Sequence, residues 1–317
     1  MSTVPSATPI SWQSRLVHLL VRARMRPHAH APVDPAWVRE QMGRPRAPRR
    51  WMARVTGATM QWRDAADGWP GGEIVTWPAR ADDGPVLLYL HGGGYIACSP
   101  ETHRPLVSSL VRRIRGQAFV PRYRLAPEHP FPAALEDAKA AYRYLLEVER
   151  IAPSRLVIAG DSAGGGLALA LALAIRDAGR PLPAALVAFS PWTDLAATGR
   201  SLDENTDSCA MFAGDTIRRA ARFYVGTADP TLPLLSPLYG DFRGLPPILV
   251  HASEHEVLRD DAIRLAAAAR SAGVAVELQL WPHVPHVWQF FAAVLPEARA
   301  SLDATTRFIL ARTQPRA

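Results

Sequence analysis

The sequence predicts an α/β fold, a mostly parallel sheet with helices on both faces, and three observations predict it. Short apolar runs alternate with longer helix-period stretches through most of the chain. A glycine-flanked serine, Ser162, sits where one such run passes into a helix-forming segment. At 317 residues and 48% hydrophobic content, the chain is long and apolar enough to bury one large core.

The apolar runs at 86–90, 118–123, 156–159, 186–189, 248–251 and 274–280 read as strands, and the stretches 104–115, 133–150, 164–178 and 258–272 as helices. This alternation implies right-handed crossovers between parallel strands, with functional residues at the carboxyl ends of the strands. One interval breaks it. Residues 195–239 contain no strand pattern, but a helical stretch near 215–224 and an exit punctuated by Pro230, Pro233 and Pro237. An insertion there, following a strand, is expected to lie above the active face as part of a cap. Residues 1–50 form the natural second part. They are joined to a body spanning 51–317 by a hinge at 43–50, where Pro45 and Pro48 stand among four arginines.

The formal charge of +7 raises the question of a nucleic-acid partner, and its distribution argues against one. Eleven arginines up to Arg63 face only Asp34 and Glu40, so the positive field belongs to the amino-terminal segment and the body is slightly acidic. The apolar stretch 16–21 is interrupted by His18, flanked by Arg15 and Arg22, and too short for a signal-peptide core or a membrane span. Peripheral contact is a second reading: Arg15, Arg22, Arg24 and Arg26 facing anionic headgroups while Leu16, Leu19 and Leu20 face inward. A helix packed over the active site explains the same pattern with less assumption. Two cysteines, Cys98 and Cys209, without metal-ligand spacing, suggest neither a disulfide framework nor a metal site and point to a reducing, cytoplasmic setting.

The segment Gly160-Asp161-Ser162-Ala163-Gly164 follows the strand at 156–159 directly and opens the helix after it. A nucleophile held at a sharp strand-to-helix turn needs small neighbours, because a side chain at Gly160 or Gly164 would collide with the turning backbone. Immediately after the strand at 86–90 stands His91-Gly92-Gly93-Gly94-Tyr95, where three glycines let amide hydrogens approach a developing oxyanion. Gly93, Gly94 and Ala163 are the expected donors, with Gly92 a third candidate from the loop. No phosphate-binding pattern follows that loop. A serine hydroxyl needs a base, and chain order puts His283 and His286 forward, of which His286 is favoured. The acid should follow the strand at 248–251, where Glu254, Glu256, Asp260 and Asp261 crowd together and spacing alone does not choose among them.

These motifs, with Tyr123-Arg124-Leu125-Ala126-Pro127-Glu128, Ser190-Pro191-Trp192-Thr193-Asp194-Leu195 and Ser236-Pro237-Leu238, resemble those of the bacterial hormone-sensitive-lipase-like esterases. The resemblance implies an α/β-hydrolase fold with a helical cap. It also implies hydrolysis of small carboxylic esters by a serine enzyme without metal or cofactor, and a homodimer through the edge strand at 274–280. Aligned on the family's acid motif, Glu256 takes the acid's place, with Asp260 in reserve. Pro285-His286-Val287-Trp288 looks like the branch containing monoterpene-lactone hydrolases. Tyr95, Asp161, Trp192, Met211, Phe212 and Trp288 are the expected pocket residues, and Trp12, Leu16, Leu20 and Phe223 further cap side chains. Lactone or amide hydrolysis and acyl transfer need only the same triad. A ligand receptor of the gibberellin-receptor kind would lack the histidine that His286 supplies.

Overall fold

The computed structural model describes residues 10–28, 32–43 and 49–313; most of the expected hinge, residues 44–48, lies outside them. In chain order the helices and strands are α1 (Trp12–Met25), α2 (Pro35–Met42), α3 (Arg49–Thr56), β1 (Thr59–Arg63), β2 (Gly72–Thr76), β3 (Val86–Leu90), α4 (Arg104–Ile114), β4 (Gln117–Pro121) and α5 (Ala133–Glu147). They continue as β5 (Leu156–Asp161), α6 (Ala163–Asp177), β6 (Ala185–Phe189), α7 (Ser201–Glu204), α8 (Gly214–Val225), β7 (Ile248–Ser253), α9 (Arg259–Ser271), β8 (Val276–Trp281) and α10 (Pro296–Thr313).

The eight strands form one sheet in the order β1-β2-β4-β3-β5-β6-β7-β8. From β4 to β8 every pairing is parallel, while β1 and β2 add antiparallel pairings at one edge. That edge and α10 are absent from the sequence reading. Strand periodicity sorts the core into two layers. On one face Val86, Leu88 and Leu90 of β3 and Leu156 and Ile158 of β5 pack with α5, α6 and α9. On the other, Leu87 and Tyr89, Val157 and Ala159, and Val187 and Phe189 pack with α4 and α10. Both faces are covered, which is why the central strands read as continuous apolar runs.

Helix α6 is buried from Ala163 to Ile175. A helix apolar all round belongs inside a protein, and this one runs back from the tip of β5 beneath the core. The interval 195–239 carries α7 and α8 and no strand, as its sequence pattern predicts. No helix among the described residues is long and apolar enough to cross a membrane.

Candidate active site

Every residue from 156 to 175 is buried except Ser162. Between Leu156 and Ile175 the strand and helix thus present a single side chain, held at φ 53° and ψ −123°, in the region where non-glycine residues are strained. The conformation is locked on both sides: the Ser162 amide donates to Phe189 O at 2.8 Å, and its carbonyl accepts from the Trp192 amide at 2.9 Å. The flanking glycines are required sterically. A Cβ at Gly160 would lie 2.3 Å from Gly164 O, and one at Gly164 2.1 Å from Leu90 O, so the turn packs directly on the tip of β3.

Glu256 and His286 meet across the end of β7. Glu256 Oε2 is hydrogen-bonded to His286 Nδ1, and Oε1 accepts the Ser253 amide at 2.7 Å. The second bond fixes the carboxylate plane. The histidine loop is tied down separately: Ser253 Oγ donates to Val284 O at 2.6 Å and the Val287 amide to Ser190 Oγ at 3.3 Å. Asn205 of the 195–239 segment donates to the carbonyls of Glu254 and Glu256, so that segment also braces the acid loop. With Nδ1 engaged by a carboxylate, the neutral ring carries its proton there and leaves Nε2 with a lone pair to accept one. His286 Nε2 is buried with no hydrogen-bond partner among the described residues. It lines the same cavity as Ser162. The direct hydroxyl-to-imidazole contact expected from the motifs is therefore not closed in this state. A serine hydroxyl turns on one torsion, and such bonds are commonly long before substrate arrives.

Asp260, the reserve acid, is committed elsewhere: it accepts the Ser201 amide at 3.0 Å and pairs with Arg259. Asp261 receives the amides of Thr193 and Asp194 at 2.7 and 2.9 Å, which fixes the Ser190–Leu195 stretch beside the elbow. His283 is exposed, stacks on His255 and accepts from Ser14 Oγ through its carbonyl. Directly after His286 the chain forms a short 3₁₀ turn, Trp288–Phe291, and the next α-helix, α10, begins only at Pro296.

Gly93 and Gly94 line the cavity, and Ala163 is the first residue of α6. No acceptor engages the amides of these three among the described residues, whereas the Gly93 carbonyl is held by the amides of Ile96 and Ala97. Gly93 has φ 115°, and a Cβ there would lie 2.2 Å from Ala97 O, so only glycine fits. Gly92 does not join them, because its amide is spent on Asp161 Oδ1 at 3.1 Å.

That bond belongs to a buried network that sequence reasoning missed. Asp161 Oδ1 also accepts from Tyr89 Oη at 2.8 Å and lies 3.2 Å from His103 Nε2. Burial pushes the Asp161 carboxyl up, but the charge and hydrogen bond of His103, with the bond from Tyr89, outweigh burial and hold it below its ordinary value. His91 stacks on Tyr123 at 4.2 Å and donates from Nδ1 to Gly92 O at 2.8 Å. Burial, reinforced by His103, pushes its imidazole down to about 3, so it stays neutral. Tyr123 donates to His91 O at 2.7 Å. The loop that presents Gly93 and Gly94 is thus anchored at both of its preceding residues.

The cavity has a volume of about 500 Å³. Asp161, Trp192, Met211 and Phe212 border it, and the Phe212 ring meets His286 edge-on at 5.3 Å. Two expected pocket residues do not. Tyr95 is buried beneath the loop, stacked on Tyr224 at 3.7 Å, and Trp288 packs against Trp281 in a separate cluster. Both follow or adopt left-handed backbone, at Val287 (φ 49°) and Tyr95 (φ 62°), where proximity in sequence does not fix direction. Phe223 packs against the core, and Trp12, Leu16 and Leu20 point to solvent. Their places in the wall are taken by Met25, Trp37, Val38 and Met42 from the amino-terminal helices and by Thr216, Ile217 and Ala220 from α8. The last three share one face of a helix, the only signal by which they could have been found. Arg39 fastens α2 to the body by donating to Ile96 O and Ala126 O and by pairing with Glu128.

A serine on a strained elbow, a carboxylate-held histidine and amides without acceptors beside one cavity define a serine hydrolase of the α/β class. A family model described as alpha/beta hydrolase fold matches residues 87–290, and the chain belongs to that family, among its hormone-sensitive-lipase-like esterases. An acetyl-hydrolase of Streptomyces hygroscopicus is 46% identical over 255 residues, covering 78% of this chain and 85% of that protein. An esterase of Acinetobacter venetianus is 35% identical over 231 residues, covering 73% and 76%. A solved esterase from the bacterial hormone-sensitive lipase family superposes with a TM-score of 0.83 at 37% identity, covering 97% of this chain and all of that one.

Proposed function

We propose that Ser162, His286 and Glu256 form a catalytic triad that hydrolyses short- to medium-chain carboxylic esters through an acyl-enzyme. The chain is a carboxylester hydrolase by family. The observation carrying the residue assignment is that Ser162, the one accessible residue between Leu156 and Ile175, shares its cavity with the Nε2 of a histidine fixed by Glu256, an atom without a hydrogen-bond partner among the described residues.

In this mechanism Ser162 Oγ attacks the ester carbonyl as its proton passes to His286 Nε2, and Glu256 stabilises the imidazolium without taking the proton. The amides of Gly93, Gly94 and Ala163 receive the oxyanion, each such donor supplying about 3 kcal/mol of barrier reduction. His286 then protonates the leaving alcohol and activates the water that releases the acid. The described part of the amino-terminal segment and residues 195–239 act as the cap: Trp37 and Met42 on one side and Met211 and Phe212 on the other line the apolar space that holds the serine. A series of p-nitrophenyl esters from acetate to palmitate tests the substrate class. kcat/KM is expected to peak at butyrate to octanoate and fall for palmitate. A maximum at palmitate would overturn it.

Asp161 is a positioning residue in this account. Asp161→Asn keeps its shape but removes the charge opposite His103, loosening the loop at Gly92. Because a shift of an ångström in a catalytic group can cost about a hundredfold, kcat is expected to drop by about that factor with KM steady. An unchanged kcat would show that the loop is held without the carboxylate.

A further inference from the structure

Helix α1 has two chemically distinct faces. Its inner face is fastened to the body: Ser14 donates to His283 O at 2.6 Å, Val17 is buried, Arg22 and Arg26 donate to the carbonyls of Asp207 and Phe212, and Met25 lines the cavity. The outer face carries Trp12 (69% exposed), Leu16 (45%), Leu19 (61%) and Leu20 (61%). Their spacing of four, three and one residues aligns them in one stripe. Packing over the active site, the simpler sequence reading, accounts for the inner face and leaves this stripe in water.

The patch does not end with the helix. Glu297 accepts from Ser11 at the start of α1, and three residues before it stands Val294, 54% exposed. Arg15 and Arg24 on the same helix are exposed beside the stripe; of the nearby carboxylates, Glu297 is engaged by Ser11 and Asp207, itself exposed, pairs with Arg26. Four partly exposed side chains on one helix present much less than the roughly 800 Å² per partner that a stable protein interface buries. A row of Trp and Leu rimmed by guanidinium groups instead suits the boundary between acyl chains and anionic headgroups, where apolar burial and cationic attraction act together.

We propose that α1 docks the protein on an anionic lipid surface, setting the cavity that Met25 lines beside it. The test is flotation of the full chain with vesicles of equimolar phosphatidylglycerol and phosphatidylcholine, compared with phosphatidylcholine alone. Wild type is expected to float with the anionic vesicles and to be released by raised salt. Trp12→Gln/Leu16→Gln/Leu20→Gln is expected to lower the bound fraction about tenfold or more through lost apolar burial. Arg15→Gln/Arg24→Gln is expected to lower it by about tenfold through lost headgroup attraction. Thermal unfolding midpoints equal to wild type establish that both variants are folded. The proposal is overturned if wild type stays with the unbound fraction, or if the triple variant floats as well as wild type. It is equally overturned if light scattering finds a dimer that the triple variant converts to monomer, which would make a second copy the occupant. No readout depends on ester hydrolysis, so failure here and failure of the esterase mechanism are separable.

Discussion

Replacing Ser162 with alanine is expected to lower kcat for p-nitrophenyl butyrate by about a millionfold, the loss typical when a nucleophile is removed from a unit that acts together. The elbow predicts that little else changes. Alanine at 162 must still adopt the φ of 53°, and the backbone bonds to Phe189 and Trp192 remain available, so the fold and KM should survive. Residual activity, set by the unoccupied amides of Gly93, Gly94 and Ala163, should still exceed that of buffer. Turnover near wild type would mean that another group attacks the ester, and peptide mapping of the trapped acyl group would identify it.

The second large effect separates two carboxylates four residues apart. Glu256→Gln should keep the bond from the Ser253 amide while presenting His286 with a neutral amide. The ring can then no longer be held in the Nδ1–H tautomer by a charge, and a fall of about ten-thousandfold in kcat is expected from that kind of change. Asp260→Asn removes a pair with Arg259 and an acceptor for the Ser201 amide, both away from His286, so activity should stay within a few-fold of wild type. The reverse ranking would move the acid to Asp260 and detach the cap-side contacts of Glu256 from catalysis.

The contrast between these carboxylates shows where sequence stops being informative. Ser162 was legible because the motif fell at the end of a run of strand residues, and a strained turn there has few other uses. Chain order leaves both His283 and His286 as candidates, and only the fold separates them, with His286 against Glu256 and the cavity and His283 exposed. Glu256 rested on aligning a motif in which it replaces the usual aspartate, since periodicity gives all four nearby carboxylates equal standing. What selects Glu256 is physical: its oxygens are divided between Ser253 and His286 at the end of β7. The Asp161–His103 network was not legible, because His103 opens α4 and reaches Asp161 only when β3 and β5 lie side by side. The same holds for the edge strands: β2 shows no clean alternation and is defined by pairing with β4, and β1, only five residues long, by pairing with β2. Pocket residues were legible only in part. Met211 and Phe212 border the cavity, but Tyr95 and Trp288, close in sequence to the 92–94 glycine loop and to His286, are turned into the core.

Labelling with a serine-directed fluorophosphonate, followed by intact mass and peptide mapping, tests the central arrangement most directly. A single adduct on the peptide containing Ser162 is predicted, forming at a rate that drops by about three orders of magnitude or more in His286→Ala, since the unassisted hydroxyl is a weak nucleophile. An adduct on another residue, or labelling of Ser162 at the same rate without His286, would contradict the convergence of serine and histidine on one reacting centre.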